Sequence, residues 1–136
     1  STLYSFSFLP RHEFKFKPGQ YLEWTLGHKK ADIRGNRRFF TVSSSPTEKE
    51  IMIGIRMEDS GSSFKKALLE MREGESLAAG NLAGDFVLPS DRSEKLVFLA
   101  GGIGITPFRS MVKYLLDIKT TLYTMMYLNK LNANSV

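Results

Sequence analysis

The segment from Leu96 to Leu116 constrains the fold more than any other part of the sequence. The run Leu96–Ala100 is short and continuously apolar, which predicts a strand buried on both faces of a parallel sheet. A helix is expected over Pro107–Leu116, because apolar residues recur there at helical spacing. Thr106 is the expected N-cap of that helix, and proline suits its first position.

Three glycines, Gly101, Gly102 and Gly104, lie between this strand and this helix. Glycine has no Cβ, so the chain can turn tightly there and a phosphate can approach the helix N-terminus. The spacing Gly-x-Gly-x-x-Pro is neither the dinucleotide fingerprint Gly-x-Gly-x-x-Gly nor a P-loop, which excludes an ordinary nucleotide kinase. The motif alone is equally compatible with a turn that binds nothing.

The chain before Leu96 has the pattern of an antiparallel β unit. Tyr4, Phe6 and Phe8 alternate with serines, as in a half-buried strand. Strands are expected over residues 3–9, 21–26, 37–44 and 51–57, separated by turn-forming sequences such as Lys17–Gln20. After the linker Pro89–Ser93 the pattern changes to strand, helix and strand, the last over residues 121–128, which is one βαβ unit.

A second helix start follows the sequence Asp59-Ser60-Gly61-Ser62-Ser63. The apolar residues after it, from Phe64 to Met71, fit the helical period. The N–H groups of residues 61–64 and the hydroxyl of Ser62 or Ser63 could hold an anion, helped by Lys65 or Lys66. A simple capping sequence is the alternative interpretation.

Composition excludes several classes of function. The 136 residues include no cysteine and only two histidines, so we expect no disulfide, no iron–sulfur cluster and no metal site. The net charge of +5 is spread along the chain without a nucleic-acid-binding motif, which makes nucleic acid an unfavoured partner. The sequence shows no signal peptide and no membrane-spanning stretch, so a cytoplasmic location is expected.

The sequence Arg38-Phe39-Phe40-Thr41 places an arginine, an aromatic ring and a hydroxyl near the end of one strand. Arg38 and Phe40 are two residues apart and therefore share a face of the strand, whereas Arg37 points to the other. An arginine can bridge a diphosphate, an aromatic side chain can cover a flavin ring, and a hydroxyl can bond a ring nitrogen. Together these groups suit FAD.

This pattern resembles the Arg-x-Tyr-Ser/Thr flavin motif of the ferredoxin–NADP reductase family. The resemblance extends over nearly the whole chain through four further segments in the family's order: Pro18–Tyr21, Gly61–Ser63, Gly84–Phe86 and Gly101–Phe108. It implies a six-stranded, antiparallel Greek-key β-barrel that binds FAD, over residues 1–92. Residues 93–136 would then be the first βαβ unit of an incomplete NAD(P)-binding domain, and the family's opening strand would be partly missing before Ser1.

The resemblance also implies roles for individual residues. Arg38 would contact the FAD diphosphate, Phe40 would stack on the flavin ring and Thr41 would bond near its N5 atom, the last two at the reacting centre. The remaining FAD contacts would come from Phe39, Gly54, Ile55, Arg56, Gly61, Ser62 and Ser63. The nicotinamide nucleotide would approach Gly102, Gly104, Thr106 and Pro107. Phe40 stands where the family has tyrosine, which keeps the ring and loses its hydroxyl.

The function implied is a flavin-dependent oxidoreductase that moves a hydride from NAD(P)H to FAD. The electrons would pass to a ferredoxin, a flavodoxin, a haem or a cluster, on another protein or another domain. The alternative is an FAD-binding electron-relay or regulatory module without nicotinamide activity.

Overall fold

The computed structural model describes residues 2–91, 93, 95–119 and 123–128, the last range by its backbone only. The strands and helices, in chain order, are β1 (Thr2–Phe8), β2 (Tyr21–Thr25), β3 (Arg37–Thr41), β4 (Ile51–Met57), α1 (Ser63–Glu70), β5 (Ala78–Ala83), β6 (Leu96–Gly101), α2 (Ile105–Asp117) and β7 (Tyr123–Leu128). A short 3₁₀ turn, Gly102–Gly104, joins β6 to α2. Neither helix has the length and apolar character that a membrane span requires, within these described ranges.

The strands form three small sheets. Strand β1 pairs antiparallel with β4, and β2 lies between β3 and β5, antiparallel to both. Strand β6 pairs in parallel with β7, with Leu96 opposite Tyr123, as a strand–helix–strand unit requires. The fold is thus mostly β, with two short helices. The single six-stranded barrel that the resemblance implies remains a prediction.

Successive side chains of a strand point to opposite faces, and one face of each of the strands β1 and β4 lies against the main core. Ile51, Ile53 and Ile55 of β4 are buried, and Phe6 and Phe8 of β1 pack against the same cluster. Helix α1 closes this core with Phe64 and Leu68, both completely buried. The predicted inward face of the first strand is confirmed at these two phenylalanines.

Two predictions about the glycine-rich segment are wrong. Helix α2 begins at Ile105 rather than Pro107, because the 3₁₀ turn already brings the chain into helical geometry and makes Gly104 the N-cap. The Thr106 hydroxyl instead donates to the Ile103 carbonyl at 3.2 Å. Strand β6 is buried on one face only: α2 covers that face, while Val97 on the other is 69% exposed.

The predicted strand over residues 37–44 is also shorter than expected and ends at Thr41. The serines that follow leave the sheet and are buried in a turn, where the Ser43 N–H donates to the Met52 carbonyl at 2.7 Å. Hydroxyl groups satisfy the backbone there, since Ser44 Oγ accepts the Met52 N–H at 2.9 Å. This turn is the surface on which α2 rests.

Candidate functional site

The site begins with Arg38, which the two-residue period of β3 directs inward. Arg38 pairs across the sheet with the buried Trp24, and its side chain is 13% exposed. The neighbouring Arg37 points outward, with a side chain that is 65% exposed. The predicted division of these two arginines between opposite faces is confirmed.

The Arg38 guanidinium meets the N-terminus of α1, and both contact one carboxylate. Asp32 Oδ1 and Oδ2 accept hydrogen bonds from Arg38 Nη2 at 2.9 and 3.0 Å. Asp32 Oδ2 also accepts the Ser63 N–H at 3.2 Å. We call the Arg38 guanidinium together with the N–H and hydroxyl of Ser63 the anion cradle. It combines a fixed positive charge with the positive end of a helix.

The pKa of Asp32 reports the strength of this environment. Desolvation opposes ionisation of the carboxyl, but hydrogen bonds from the Arg34 N–H, the Arg38 guanidinium and the Ser63 N–H outweigh it and lower the pKa from 3.8 to about 2. The carboxylate is therefore ionised at neutral pH. The anion cradle is a place where the fold stabilises negative charge.

Backbone carbonyls hold the remaining end of Arg38. Nη1 donates to the carbonyls of Arg34 and Gly35 at 3.0 Å each, and to that of Arg37 at 2.6 Å. The guanidinium also lies 5.6 Å from the centre of the Phe64 ring. Its Nε is buried without a hydrogen-bond partner among the described residues. Loop and core therefore fix the orientation of this arginine.

Ser63 and His28 extend the network into the loop between β2 and β3. The Ser63 hydroxyl accepts the Asp32 N–H at 2.9 Å and lies 2.9 Å from His28 Nε2. His28 Nδ1 is 2.8 Å from the Leu26 carbonyl, which can only accept, so Nδ1 carries the proton. In the neutral ring Nε2 then accepts from the Ser63 hydroxyl.

A groove of about 930 Å³ opens beside the anion cradle, which is within the usual range for small-molecule sites. Its walls are the β2–β3 loop, the segment before α1, one side of α1, and Met71 and Glu75 after the helix. Lysines and small polar residues line it, including Lys29, Lys30, Gly61, Ser62 and Lys66. Gly61 and Ser62, both predicted to contact a cofactor, thus lie beside Ser63 at one site.

The aromatic part of the predicted site lies one step along β3 from Arg38. Phe40 pairs with Leu22 and packs on Phe64, with ring centres 5.8 Å apart. Phe39 points the other way, is 61% exposed, and meets Tyr21 edge-on at 5.7 Å. The Thr41 hydroxyl has no hydrogen-bond partner in the part of the chain that the structure describes, and so keeps its bonding capacity.

The outer face of β4 contacts the glycine turn. A Cβ built on Gly54 would lie 2.8 Å from the Thr106 methyl group, so glycine permits this approach. One at Gly102, where φ is +53°, would clash with the Arg56 guanidinium. Ile55 is 1% exposed and faces the core, so only its backbone can contribute to a site.

Gly104 differs from Gly102 in what surrounds it. Its φ of −62° suits any residue, and a Cβ there would meet none of the described residues within 4 Å. The first turn of α2 contains no acidic side chain, and no side chain in the described part of the chain caps it. The helix start at Gly104, Thr106 and Pro107 is therefore open, as the predicted nucleotide approach requires.

Helix α2 is anchored to the turn after β3 by contacts that sequence patterns did not predict. Arg109 Nη1 donates to the Ser43 carbonyl at 2.8 Å and to Glu48 Oε2 at 2.7 Å, and Nη2 donates to Glu48 Oε1 at 3.0 Å. The buried Ser110 hydroxyl donates to the Ser44 carbonyl at 2.6 Å. These contacts fix α2 against the segment between β3 and β4.

Known proteins are similar to this chain in sequence and in fold. The flavohemoprotein of Candida albicans is 35% identical over 101 residues, which is 73% of this chain and 25% of that protein. The FAD/NAD-binding domain of nitric oxide dioxygenase from Vibrio cholerae superposes with a TM-score of 0.83 at 21% identity, covering 97% of this chain and 58% of that one. The chain belongs to the ferredoxin–NADP reductase-like family.

A second structure of this reductase-like family extends the comparison. The ferredoxin–NADP⁺ reductase of Neisseria gonorrhoeae was solved with bound FAD and NADP. It superposes with a TM-score of 0.73 at 21% identity, and the match covers 92% of this chain and 50% of that one. At such identities the structures show the fold. No protein-family model matches the chain. The chain spans about a quarter of the length of the flavohemoprotein that it matches.

The structure brings most of the predicted residues into two groups. Arg38 and the Gly61–Ser63 helix start meet at the anion cradle, and Gly54 and Arg56 meet the glycine turn. Sequence reasoning missed Asp32 and His28, which belong to a loop predicted only as a connection. The one sequence feature that could have indicated this contact is the acidic Asp32, six positions before the basic Arg38.

Proposed function

We propose that the chain is part of a flavin-dependent oxidoreductase that moves a hydride from NAD(P)H to FAD and passes the electrons to a protein or cofactor acceptor. The anion cradle is the observation that carries this proposal. Two elements distant in sequence, Arg38 and the start of α1, converge on one negatively charged group. A diphosphate offers the same kind of acceptor oxygens at higher charge.

The residues present fit FAD. Arg38 and Ser63 already bind an anion, and the groove beside them has room and lysines for the rest of a nucleotide. The Neisseria reductase was solved with bound FAD and NADP, and the Vibrio structure is that of an FAD/NAD-binding domain. Both similarities support the same cofactors here.

Each part of the site would have a distinct role. Arg38 and Ser63 would hold the diphosphate, with Gly61 and Ser62 at its side. Phe40 would cover the ring system, supported from behind by Phe64. When bound, FAD supplies the redox chemistry, because it accepts a hydride and gives up electrons singly. The free hydroxyl of Thr41 would donate to the ring and fix its position.

The glycine turn would admit the nicotinamide nucleotide. Gly104 leaves open space at the start of α2, where N–H groups favour phosphate, and the contact of Gly54 with Thr106 keeps this turn close to β4. We assign residues 1–92 to a flavin domain of Greek-key barrel type and residues 93–136 to the start of an NAD(P)-binding domain. The acceptor would be a ferredoxin, flavodoxin, haem or cluster.

Competition between FAD and FMN tests the assignment of the anion cradle. FAD is expected to bind more tightly, because FMN lacks the diphosphate. Arg38→Ala is expected to weaken FAD by about ten- to hundredfold, which corresponds to a charge-assisted contact of about 1.5–3 kcal/mol. Arg37→Ala is the matched control and should leave the affinity unchanged. Equal binding of FMN and FAD, or equal effects of the two substitutions, would contradict the proposal.

A further inference from the structure

Asp32 occupies the anion cradle with a charge that belongs to the chain itself. Its carboxylate uses Arg38 Nη2 and the Ser63 N–H, at distances of 2.9 to 3.2 Å. These are donors that a diphosphate would need. The carbonyls of Arg34, Gly35 and Arg37 occupy Nη1 at the same time. The donors of the cradle that face Asp32 are therefore all in use.

A diphosphate and the Asp32 carboxylate cannot share these donors. Two anions within a few ångströms repel each other, and the hydrogen atoms on Nη2 and on the Ser63 nitrogen are limited in number. Binding at the cradle therefore requires Asp32 to leave it. The cost of breaking its contacts then reduces the net affinity for the incoming anion.

The tip of the loop that carries Asp32 can move away from α1 while the base of the loop stays in the sheet. At the base, the Leu26 N–H donates to the Asn36 carbonyl at 3.0 Å and continues the sheet. At the tip, Ile33 is fully exposed, and Asp32 and His28 supply the contacts with α1. Outward movement of the tip breaks the Asp32 contacts, the His28–Ser63 contact and the bonds from Arg38 Nη1 to the loop carbonyls, and it leaves the strand pairing of β2 and β3 intact.

We propose that Asp32 is an internal competitor of the diphosphate: it holds the anion cradle in the absence of ligand, and ligand binding displaces it together with the tip of its loop. The proposal rests on the proposed function for the identity of the natural ligand. It makes Asp32 a residue that determines affinity, although it does not itself hold the cofactor.

Removal of the charge at Asp32 is the direct test. Asp32→Asn keeps the size of the side chain and is expected to tighten FAD and inorganic pyrophosphate about tenfold, with riboflavin, which has no phosphate, unchanged. Glu50→Gln is the matched control, because it removes the same charge from an exposed position outside the groove. It should alter all three affinities by less than twofold.

Thermal unfolding and proteolysis provide readouts that do not depend on activity. Asp32→Asn should lower the melting temperature of the free chain more than that of the FAD complex, because the contacts of Asp32 exist only in the free chain. Trypsin should cleave after Arg34, beside the tip of the loop, faster when pyrophosphate is bound, since the tip of the loop is then displaced.

The outcomes separate the two proposals. Weaker or unchanged pyrophosphate binding in Asp32→Asn, or cleavage after Arg34 that pyrophosphate does not accelerate, would overturn the role of Asp32. Tighter pyrophosphate binding without any binding of FAD would support Asp32 as a competitor of diphosphate and overturn the flavin function. Failure of pyrophosphate to bind both the original chain and Asp32→Asn would also overturn the role of Asp32.

Discussion

The two glycines of the turn before α2 should respond in opposite ways to substitution. Gly102 has φ of +53°, and a Cβ there would displace the Arg56 guanidinium. Gly104 has φ of −62° with open space around it. Gly102 is therefore required by the backbone, whereas Gly104 leaves space that a nucleotide can use.

These geometries set the expected magnitudes. Left-handed backbone costs a residue with a side chain about 1–2 kcal/mol, so Gly102→Ala should lower the melting temperature by about 3–10 °C. Gly104→Val needs no positive φ and places its Cβ in open space, so it should change stability by about 0.5 kcal/mol or less. Its two methyl groups should nevertheless obstruct the nicotinamide nucleotide and slow flavin reduction by at least about tenfold, a loss of about 1.4 kcal/mol.

Three measurements on the same Gly104→Val protein decide the matter: thermal unfolding, absorbance of bound FAD, and the rate of flavin bleaching by NADH or NADPH. We expect normal stability, normal flavin content and slow bleaching. Bleaching at the unsubstituted rate, or a loss only in proportion to lost flavin, would refute the reasoning. So would a Gly102→Ala protein as stable as the original chain.

Two further predictions concern the anchor of α2. Ser110→Ala removes the buried donor to the Ser44 carbonyl and should cost about 1–3 kcal/mol in denaturant unfolding, whereas the exposed Ser93→Ala should cost almost nothing. Equal costs would show that the buried bond is unimportant. The hydrogen bond from Arg109 lowers the pKa of Glu48 below its ordinary value of 4.5. The ion pair therefore stabilises the fold above pH 4.5, and this stabilisation is lost as the pH falls through the lowered pKa. Glu48→Gln should therefore lower the free energy of unfolding by about 1–2 kcal/mol at pH 7, which lies between the values for exposed and buried ion pairs. In acid the variant and the original chain should be equally stable. A difference independent of pH would contradict this assignment.

Local periodicity was sufficient to predict much of the site. The two-residue period of a strand assigned Arg38 inward and Arg37 outward, and cap residues located the start of α1 near Ser62, whose hydroxyl accepts the Lys65 N–H. These features depend on neighbours in sequence. The parallel pairing of β6 and β7 also followed from the strand–helix–strand pattern.

Contacts between distant segments could not be predicted in this way. Asp32 reaches Ser63 across 31 positions, and Arg109 reaches Glu48 across 61, so neither pair produces a periodic pattern. Residue preference, which is an average over many helices, predicts Thr106 as the N-cap of α2, whereas the 3₁₀ turn places the cap at Gly104. The exposed face of β6 likewise depends on where α2 packs.

The most direct test of the central claim is anaerobic titration of the FAD-loaded chain with NADH and with NADPH, followed by absorbance. The account predicts that at least one of them bleaches the oxidised flavin band and that added ferricyanide, a one-electron acceptor, restores it. A chain that binds FAD firmly but is bleached by neither nucleotide, while dithionite still reduces it, would contradict nicotinamide-dependent function and favour an electron-relay module.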